Sequence, residues 1–378
     1  MNKKIYIATL ISIILLISFI FTGCKAKQEN NITIAAVAPI TGKYAEMGVD
    51  LIDGIKMAVE EKNEKGGIDG KKIVLLEADD KASPKDAVSV AQMMINNKNV
   101  VGVVGHMNSG TTLAASPVYS QAGMPLVMPV PTNPDITKQN FKNLFRIPIT
   151  DDKQGAAIIN FVLDKMKLDK VAIVHNKQAY GEGLAKEAEK TLKSRGNNPL
   201  IFIGVNADDQ DFKPAILKVK ALSPKVVFFG GDYAEAALFI KQSRESGLNV
   251  PFVMGDGSFN SKLIEITGKA SEGCIITNIA PMTAPGDKAK DFYQKFEKKY
   301  NKIVAFAPLG YVSANILIDA IEKAQTKDRE GVLKILNDPN YSYDSILGKF
   351  AFEPNGDSKG DRIFFHEIKD GKFVTVNN

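Results

Sequence analysis

The fold of this chain is decided by residues 100–135, VVGVVGHMNSGTTLAASPVYSQAGMPLVMPVPTNPD. The first five residues, VVGVV, form an apolar run that is too short for a helix and rich in β-branched side chains, which predicts a buried parallel strand. A polar turn at residues 106–112 then supplies hydroxyls and a glycine ahead of the apolar run at residues 113–119. This order of residues is typical of a strand that ends in a turn and leads into a helix.

A second strand of the same sheet is predicted at residues 125–130, and it also ends in a polar turn, which contains Thr132 and Asn133. The carboxyl ends of parallel strands meet at one edge of a sheet, and open α/β sheets bind their ligands at that edge. The two turns therefore bring hydroxyls and unpaired backbone N–H groups together. An anionic group is the ligand that such donors favour.

The rest of the chain repeats this alternation of short apolar strands and amphipathic helices. One run extends from Ile32 to about Thr150, and a second extends from there to about residue 255. Consecutive helices follow in the last hundred residues, and then three short strands around KFAFEP, RIFFHEI and KFVTV. The pattern predicts an α/β protein with two doubly wound parallel sheets, and 378 residues are enough for two such domains.

The balance of charge argues against a nucleic-acid ligand. The chain carries 48 Lys and Arg against 43 Asp and Glu, a formal charge of +5, which becomes +3 without Lys3 and Lys4 of the predicted export signal. The lysines alternate with acidic residues along predicted helices, as in EKNEKGG and KAKDFYQKFEKKY. Such alternation is typical of a solvated helix surface.

The N-terminus has the features of an export signal. The basic residues of MNKK precede an apolar stretch at residues 5–21, which is followed by TGCKAKQENN. This arrangement resembles a bacterial lipoprotein signal peptide, which implies removal of residues 1–23, a lipid on Cys24 and a linker at residues 24–31. A single membrane-spanning anchor is the alternative. Both predictions place the remainder outside the cytoplasm, and Cys274 is the one other cysteine, so no internal disulfide is expected.

The sequence offers little for catalysis. The chain has three histidines, His106, His175 and His366. None is paired at metal-ligand spacing, so no metal is expected. Ser109 precedes a glycine, but Met107 stands where a nucleophile elbow needs its first glycine. The turn after the first strand, APITGKYAEMG, lacks the G-x-G-x-x-G of a dinucleotide enzyme. We therefore expect neither an enzyme nor a cofactor.

A binding site for an α-amino acid is better supported. Ser109 and Thr132 are hydroxyl donors at two strand ends of the first sheet, and Asp256 in GDGSFN is a carboxylate at a strand end of the second. Each residue alone is equally well explained as a helix cap or a turn residue. Together they suit a zwitterion, because the hydroxyls bind its carboxylate and Asp256 pairs with its ammonium group.

From Ile32 to about Gly371, the chain resembles the branched-chain amino-acid binding proteins of ABC importers, which have the type I periplasmic-binding fold. The segments that carry the resemblance are TGKYAEMG, GGIDGKK, GVVGHMNSGTT, MPVPTNP, FRIPITDDKQG, HNKQAYGEG, FFGGDYAEAALFIKQ and MGDGSFN. The resemblance implies two lobes joined by a hinge of three crossings. Lobe 1 would contain residues 32–149 and 278–343, and lobe 2 residues 150–277 and 344–378.

The resemblance also assigns roles to individual residues. Ser109 and Thr132 match the carboxylate donors, Val130 the residue whose carbonyl accepts from the ammonium group, and Asp256 its acidic partner. Tyr180 matches the aromatic residue with which the second lobe closes over the ligand. The residues that match the side-chain pocket are Met47, Met107, Asn108 and Phe306.

Three features of the sequence depart from this family. Asp232 stands where many relatives have a tyrosine, which adds a second carboxylate near the ammonium group. Met47 also replaces an aromatic ring, and Ala82 and Asn108 replace two cysteines that some relatives join. These departures leave the expectation of an amino-acid ligand in place, with a polar or larger side chain as the alternative to a strictly aliphatic one.

The resemblance implies the extracytoplasmic substrate-binding component of an ABC importer. Such a protein binds an α-amino acid, branched-chain Leu, Ile or Val in this family, and delivers it to a permease and its ATPase. We expect a monomer that is anchored through the lipid on Cys24, on the outer face of a Gram-positive membrane or on the periplasmic side. A sensory receptor of the same fold, which binds an amino acid or another small polar ligand without transport, is the alternative.

Overall fold

The computed structural model of the chain describes residues 31–279, 287–301 and 306–376. The predicted signal peptide and the predicted lipid site at Cys24 lie outside the described residues. Among the helices of the described part of the chain, none is both long enough and apolar enough to cross a membrane.

The first half of the chain forms a five-stranded parallel sheet and its helices. In chain order, its elements are β1 (Ile32–Ala38), α1 (Ala45–Glu64), β2 (Ile73–Asp79), α2 (Pro84–Asn96), β3 (Val100–Gly105), α3 (Ser109–Gln121), β4 (Leu126–Met128), α4 (Asp135–Lys138) and β5 (Leu144–Arg146). The strand order is β2-β1-β3-β4-β5, and all neighbouring strands are parallel. The direction of winding reverses between β1 and β3, which is where a doubly wound sheet has its crevice.

The second half forms a larger sheet in the same way. Its elements begin with α5 (Asp151–Asn160), a π-helical turn (Phe161–Lys165), β6 (Val171–His175), α6 (Ala179–Ser194), β7 (Ile201–Gly204), α7 (Lys213–Ala221), β8 (Val226–Gly230), α8 (Tyr233–Glu245), β9 (Phe252–Met254), a 3₁₀ turn (Asp256–Ser258), α9 (Ser261–Thr267), a second 3₁₀ turn (Gly268–Ser271) and β10 (Ile275–Asn278). Strands β6 to β10 are parallel where they pair. Winding reverses between β6 and β8.

The last segment returns to both sheets. Its described elements are α10 (Asp287–Tyr300), α11 (Ala307–Lys323), α12 (Arg329–Leu336), β11 (Tyr343–Ser345), β12 (Gly348–Phe350), β13 (Phe364–Lys369) and β14 (Lys372–Thr375). Helix α11 packs on α1 and against β3 and β4, whereas β13 and β14 extend the second sheet as antiparallel strands. The second sheet therefore has the order β14-β13-β10-β9-β8-β6-β7. The predicted α/β class with two doubly wound sheets is confirmed.

Both faces of the first sheet are buried, which explains the continuous apolar runs of its strands. In β1, Ile34 and Ala36 face one core with α1 and α11, while Ala35 and Val37 face the other with α2 and α3. Helix α11 lies close to α1 because position 54 is glycine: a Cβ there would be 2.0 Å from the carbonyl oxygen of Ala307.

Residues 344–357 remain beside the first sheet. Arg146 at the end of β5 pairs with Asp357 at 2.8 Å, and its backbone N–H donates to the carbonyl of Gly356 at 2.8 Å. The ring of Phe352 packs edge-on against Phe145, with centroids 5.2 Å apart. The lobe boundary predicted at residue 343 does not match these contacts. The β11–β12 hairpin and the turn after it lie beside the first sheet, and the chain joins the second sheet only at β13.

Candidate functional site

A cleft lies where the carboxyl ends of strands from the two sheets face each other. Loops after β1, β3 and β4 border it on one side, and loops after β6, β8 and β9 on the other. It contains about 330 Å³ of space that no protein atom fills, part of it open to solvent. All ten residues that the sequence assigned to a ligand site line this cleft, together with Pro131 and Gly257: Met47, Met107, Asn108, Ser109, Val130, Thr132, Tyr180, Asp232, Asp256 and Phe306.

The first lobe contributes two hydroxyls that have few protein partners. Ser109 is the first residue of α3, and Thr132 follows β4; both are almost completely buried. The Thr132 hydroxyl has no hydrogen-bond partner among the described residues. The Ser109 oxygen accepts one long bond, from the backbone N–H of Asn133 at 3.4 Å. Both hydroxyls are therefore able to donate to a ligand, and the N-terminus of α3 adds backbone donors beside them.

The second lobe contributes a buried carboxylate in a fixed position. The Oδ1 atom of Asp256 accepts hydrogen bonds from the Tyr180 hydroxyl at 2.9 Å and from Nε2 of Gln154 at 2.8 Å. The Tyr180 oxygen in turn accepts from the N–H of Gly257 at 2.9 Å. Burial raises the pKa of Asp256, and the bonds from Gln154 and Tyr180 partly offset that rise. Because both bonds reach Oδ1, the other oxygen remains available to a cation.

Asp151, which the sequence analysis did not select, places a second buried acid behind Thr132. It is the first residue of α5, it is fully buried, and neither carboxylate oxygen has a hydrogen-bond partner among the described residues. Burial raises the pKa of Asp151 well above its usual value, and the Asp256 carboxylate adds to the rise, whereas the Thr132 hydroxyl and the Arg146 guanidinium oppose it. A buried carboxylate is unfavourable to ionise, so a cation in the cleft beside Thr132 would stabilise the charged form of Asp151.

A third carboxylate, Asp232, lines the cleft beside Gly257. Burial raises its pKa well above the usual value, the neighbouring Glu235 raises it further, and Lys43 opposes both effects. Lys43 comes from the first lobe and binds Glu235 at 2.8 Å and the carbonyl of Ala207 at 2.9 Å. The Tyr44 hydroxyl also donates to Glu235, at 3.2 Å.

These contacts belong to a set of bonds that cross the cleft. The side-chain amide of Asn133 donates to the carbonyl of Ala179 at 2.7 Å, and Lys262 pairs with Glu46 at 2.5 Å. Residues of the two lobes are therefore bonded directly to each other around the lining residues. The lining side chains are therefore enclosed between the loops of the two sheets.

The family model of the periplasmic binding proteins matches residues 31–372. The chain belongs to the periplasmic binding protein family. It is 34% identical over 346 residues to Leu/Ile/Val-binding protein homolog 2 of Brucella abortus, which covers 91% of this chain and 92% of that protein. It is also 34% identical to a leucine-, isoleucine-, valine-, threonine- and alanine-binding protein of Pseudomonas aeruginosa, over 87% of this chain and 88% of that one.

Solved structures of this family have the same fold. The leucine-binding protein LivK of Thermotoga maritima superposes with a TM-score of 0.84 at 27% identity, over 92% of this chain and 98% of that chain. The branched-chain amino-acid binding protein LivJ of Streptococcus pneumoniae, solved with isoleucine, superposes with a TM-score of 0.82 at 27% identity, over 92% and 100%. These relatives are all named as binding proteins, and the matches extend over nearly their whole lengths.

In this periplasmic binding protein the remaining wall of the cleft is apolar. Met47 in the first turn of α1, Met107 after β3 and Phe306 before α11 are each at most 3% exposed. The backbone N–H groups of Phe306 and Ala307 donate to one carboxylate oxygen of Asp50, at 2.6 and 2.8 Å. This bond pair fixes the entry into α11 and so holds the Phe306 ring at the cleft.

A buried polar chain supports the loop that carries three lining residues. His106 binds Asp80 through Nδ1 at 2.7 Å and the Tyr119 hydroxyl through Nε2 at 3.2 Å, and all three side chains are fully buried. Met107, Asn108 and Ser109 follow directly. His106 therefore acts as an anchor of the binding loop.

Sequence reasoning missed Asp151, Gln154 and Gly257. The first two lie in FRIPITDDKQG, which was recognised as a family segment but not examined for ligand groups. Both residues lie near Asp256 because they belong to helix α5, which begins at Asp151. A local sequence pattern does not show this proximity. Helix α6 begins at Ala179, and so Tyr180 lies in its first turn.

Proposed function

We propose that this protein is the extracytoplasmic substrate-binding component of an ABC importer and that it binds an α-amino acid between its two lobes. One observation supports this above the others. Two buried hydroxyls with little or no protein hydrogen bonding, those of Ser109 and Thr132, line a cleft together with the buried acids Asp232 and Asp256, and neither acid forms an ion pair among the described residues. A zwitterion satisfies both sets of groups at once.

The carboxylate of the ligand accepts hydrogen bonds from Ser109, Thr132 and the first backbone N–H groups of α3. Its ammonium group has three donors, which reach the Val130 carbonyl, Asp256 and Asp151. This assignment extends the residue-level expectation from sequence by one acid, Asp151.

Relatives named for leucine, isoleucine and valine make branched-chain amino acids the first ligands to test. The wall formed by Met47, Met107 and Phe306 supports this choice, because burying an aliphatic side chain against it contributes roughly 1.5 to 3 kcal/mol. Tyr180 closes the cleft from the second lobe.

The importer role adds a membrane anchor and a partner. Cys24 is proposed to carry the lipid after removal of residues 1–23, which holds a monomeric receptor on the outer side of the cell membrane. The ligand stabilises the closed form over the open one, so the permease can distinguish the ligand-bound receptor from the free receptor by its conformation. The bonds from Lys43 to Glu235 and from Asn133 to Ala179 are candidates for that stabilisation.

Isothermal titration calorimetry of residues 25–378 against the twenty common amino acids tests the ligand class. We expect saturable heat with at least one amino acid, and a loss of about a hundredfold in affinity for Asp256→Ala, since a buried ammonium loses its charged partner. Ser109→Ala should weaken binding about tenfold. Ser120→Ala, at the other end of α3, is the matched control and should bind like wild type. If no amino acid produces heat, the proposed ligand class is wrong.

A further inference from the structure

The cleft contains more hydrogen-bond acceptors than an α-amino group can satisfy. The proposed partners of the three N–H groups of the ammonium are the Val130 carbonyl and Asp256, which line the cleft, and Asp151, which lies behind Thr132. Two further acceptors line the same cleft, the carboxylate of Asp232 and the side-chain oxygen of Asn108. If the ligand offered only an aliphatic side chain, both would be sealed in the closed cleft without a donor from the ligand.

The Asp232 side chain does not cap the helix that it precedes. It precedes α8 as the N-cap residue, where an aspartate usually accepts a hydrogen bond from the first turn of its own helix. Here its side chain makes no capping bond. Its Oδ1 atom lies 2.9 Å from the place where a Cβ of residue 257 would be, and Gly257 lines the cleft. The carboxylate is thus directed to the cleft rather than to the helix.

Asp232 shares its neighbouring donors, Lys43 and Tyr44, with Glu235. The Lys43 ammonium already binds Glu235 and the carbonyl of Ala207. The Tyr44 hydroxyl has a single proton for the carboxylates of Glu235 and Asp232. One lysine and one hydroxyl proton therefore serve two buried acids, which leaves acceptor capacity at Asp232 for another donor.

Asn108 repeats this arrangement on the first lobe. It is the N-cap residue of α3, its side chain makes no capping bond, and its buried oxygen has no hydrogen-bond partner among the described residues. Asp232 and Asn108 are both of residue types that favour the N-cap position, yet neither forms the capping hydrogen bond. They lie on opposite sides of the same cleft. Neither observation depends on the other.

We propose that the ligand is an α-amino acid whose side chain carries a hydrogen-bond donor, which Asp232 and Asn108 accept. This inference rests on the proposed amino-acid function and specifies the side chain. The donor belongs to a hydroxyl, an amide or an ammonium group. Met47, Met107 and Phe306 then contact the carbon atoms of the side chain, while its polar end meets the two acceptors.

Aliphatic amino acids of equal size bind more weakly for a physical reason. Closing the lobes removes water from Asp232 and Asn108, and an alkyl group returns no hydrogen bond to either. A site whose buried acceptors bind a hydrogen-bond donor of the substrate discriminates strongly against an analogue that lacks the donor. An apolar pocket discriminates much less between substrates that differ only in shape. We expect a preference of about tenfold or more for the donor-bearing member of a matched pair.

Three pairs of nearly isosteric amino acids test this on the unmodified protein by calorimetry. Threonine against valine tests a hydroxyl, asparagine against leucine an amide, and 2,4-diaminobutyrate against norvaline an ammonium group. The inference expects the donor-bearing member to bind at least tenfold more tightly in one pair or more, and that pair identifies the donor. An aliphatic preference in all three pairs overturns it while the amino-acid function stands.

Asp232→Leu then tests the residue itself. This variant keeps a side chain of similar size and should reverse or abolish the preference within the responding pair, an effect that general damage to the fold does not produce. Asp169→Leu, on an exposed residue before β6, is the matched control and should keep the wild-type ratio. An unchanged ratio in Asp232→Leu overturns the role of Asp232. Absence of binding by every amino acid refutes the proposed function instead.

Discussion

At the scale of single residues, the cleft depends on carboxylates that the protein holds in place without neutralising them. Asp256 receives two hydrogen bonds on one oxygen, from Tyr180 and Gln154, and forms no ion pair in the described part of the chain. Asp151 receives no hydrogen bond among the described residues. Uncompensated acids of this kind destabilise an empty protein and strengthen binding of a cationic group.

Tyr180→Phe tests whether this positioning matters for binding. The variant removes the proton that Asp256 accepts and leaves the N–H of Gly257 unpaired, which should cost about 1 to 2 kcal/mol, or a five- to thirtyfold loss of ligand affinity by calorimetry. Tyr341→Phe also removes a hydroxyl proton from a carboxylate, since the Tyr341 oxygen is 2.9 Å from Oδ2 of Asp319 and 3.2 Å from the carbonyl oxygen of Ile316, but Tyr341 does not line the cleft and the variant should bind normally. Equal affinity of Tyr180→Phe and wild type would argue against the positioning role.

The pH dependence of binding follows from the raised pKa values of Asp151, Asp232 and Asp256. The empty protein keeps protons on these groups at pH values where the unfolded chain has lost them, so its stability falls as the pH rises from about 4 through the raised pKa values. A ligand ammonium favours the ionised acids. Binding should therefore release protons and weaken as the pH is lowered through those pKa values.

Asp151→Asn should make the ligand-free protein more stable and bind the ligand more weakly. At neutral pH the empty variant should be more stable than wild type by about 1 kcal/mol in urea unfolding, because a buried acid that is unfavourable to ionise has been removed. Its ligand affinity and its proton release, measured in buffers of different ionisation enthalpy, should both decrease. Asp152→Asn, on the exposed neighbouring residue, should change neither.

At the scale of elements, the segment between β3 and α3 is held in place by a buried chain of hydrogen bonds. Three lining residues lie within it, and His106 fixes it from behind through Asp80 and Tyr119. No residue of this chain of hydrogen bonds touches the cleft. The sequence reasoning treated His106 only as a metal or catalytic candidate, and its anchoring role became visible when β2 and α3 placed Asp80 and Tyr119 beside it.

His106→Phe should separate anchoring from simple packing. The variant fills the space but leaves the Asp80 carboxyl with one donor, the N–H of Ala82, so the free energy of unfolding should fall by about 2 to 3 kcal/mol. Tyr119→Phe removes only the far bond and should cost about 1 kcal/mol. Chemical denaturation measures both. Equal losses in the two variants would contradict the anchoring role of the His106–Asp80 bond.

At the scale of the whole molecule, the lobes are held closed by a few bonds at the mouth of the cleft. Lys43 of the first lobe reaches two acceptors of the second, Glu235 and the carbonyl of Ala207. Its side chain is about one-third exposed, whereas that of Glu235 is fully buried. Loss of this lysine would leave a buried acid in the closed form but a solvated one in the open form.

Lys43→Met should therefore shift the ligand-free protein towards the open form. Small-angle scattering should show a larger radius of gyration. Calorimetry should show a several-fold loss of ligand affinity, because closure becomes less favourable. Lys56→Met removes a pair inside the first lobe, with Glu77 at 2.9 Å, and serves as the control. A Lys43→Met protein with wild-type dimensions and affinity would show that other contacts hold the lobes together.

The amino-acid sequence by itself determined the two parallel sheets, since apolar runs separated by amphipathic helices have no other way to bury both faces of each strand. It also placed Ser109, Thr132 and Asp256 at strand ends, because the carboxyl edge of such sheets is fixed by chain direction. Only the tertiary structure decided that α11 returns to the first sheet, that residues 344–357 stay with it, and that Asp151 is buried behind Thr132. These facts depend on contacts between segments far apart in the chain, and a local pattern of residues carries no information about which distant surface covers it.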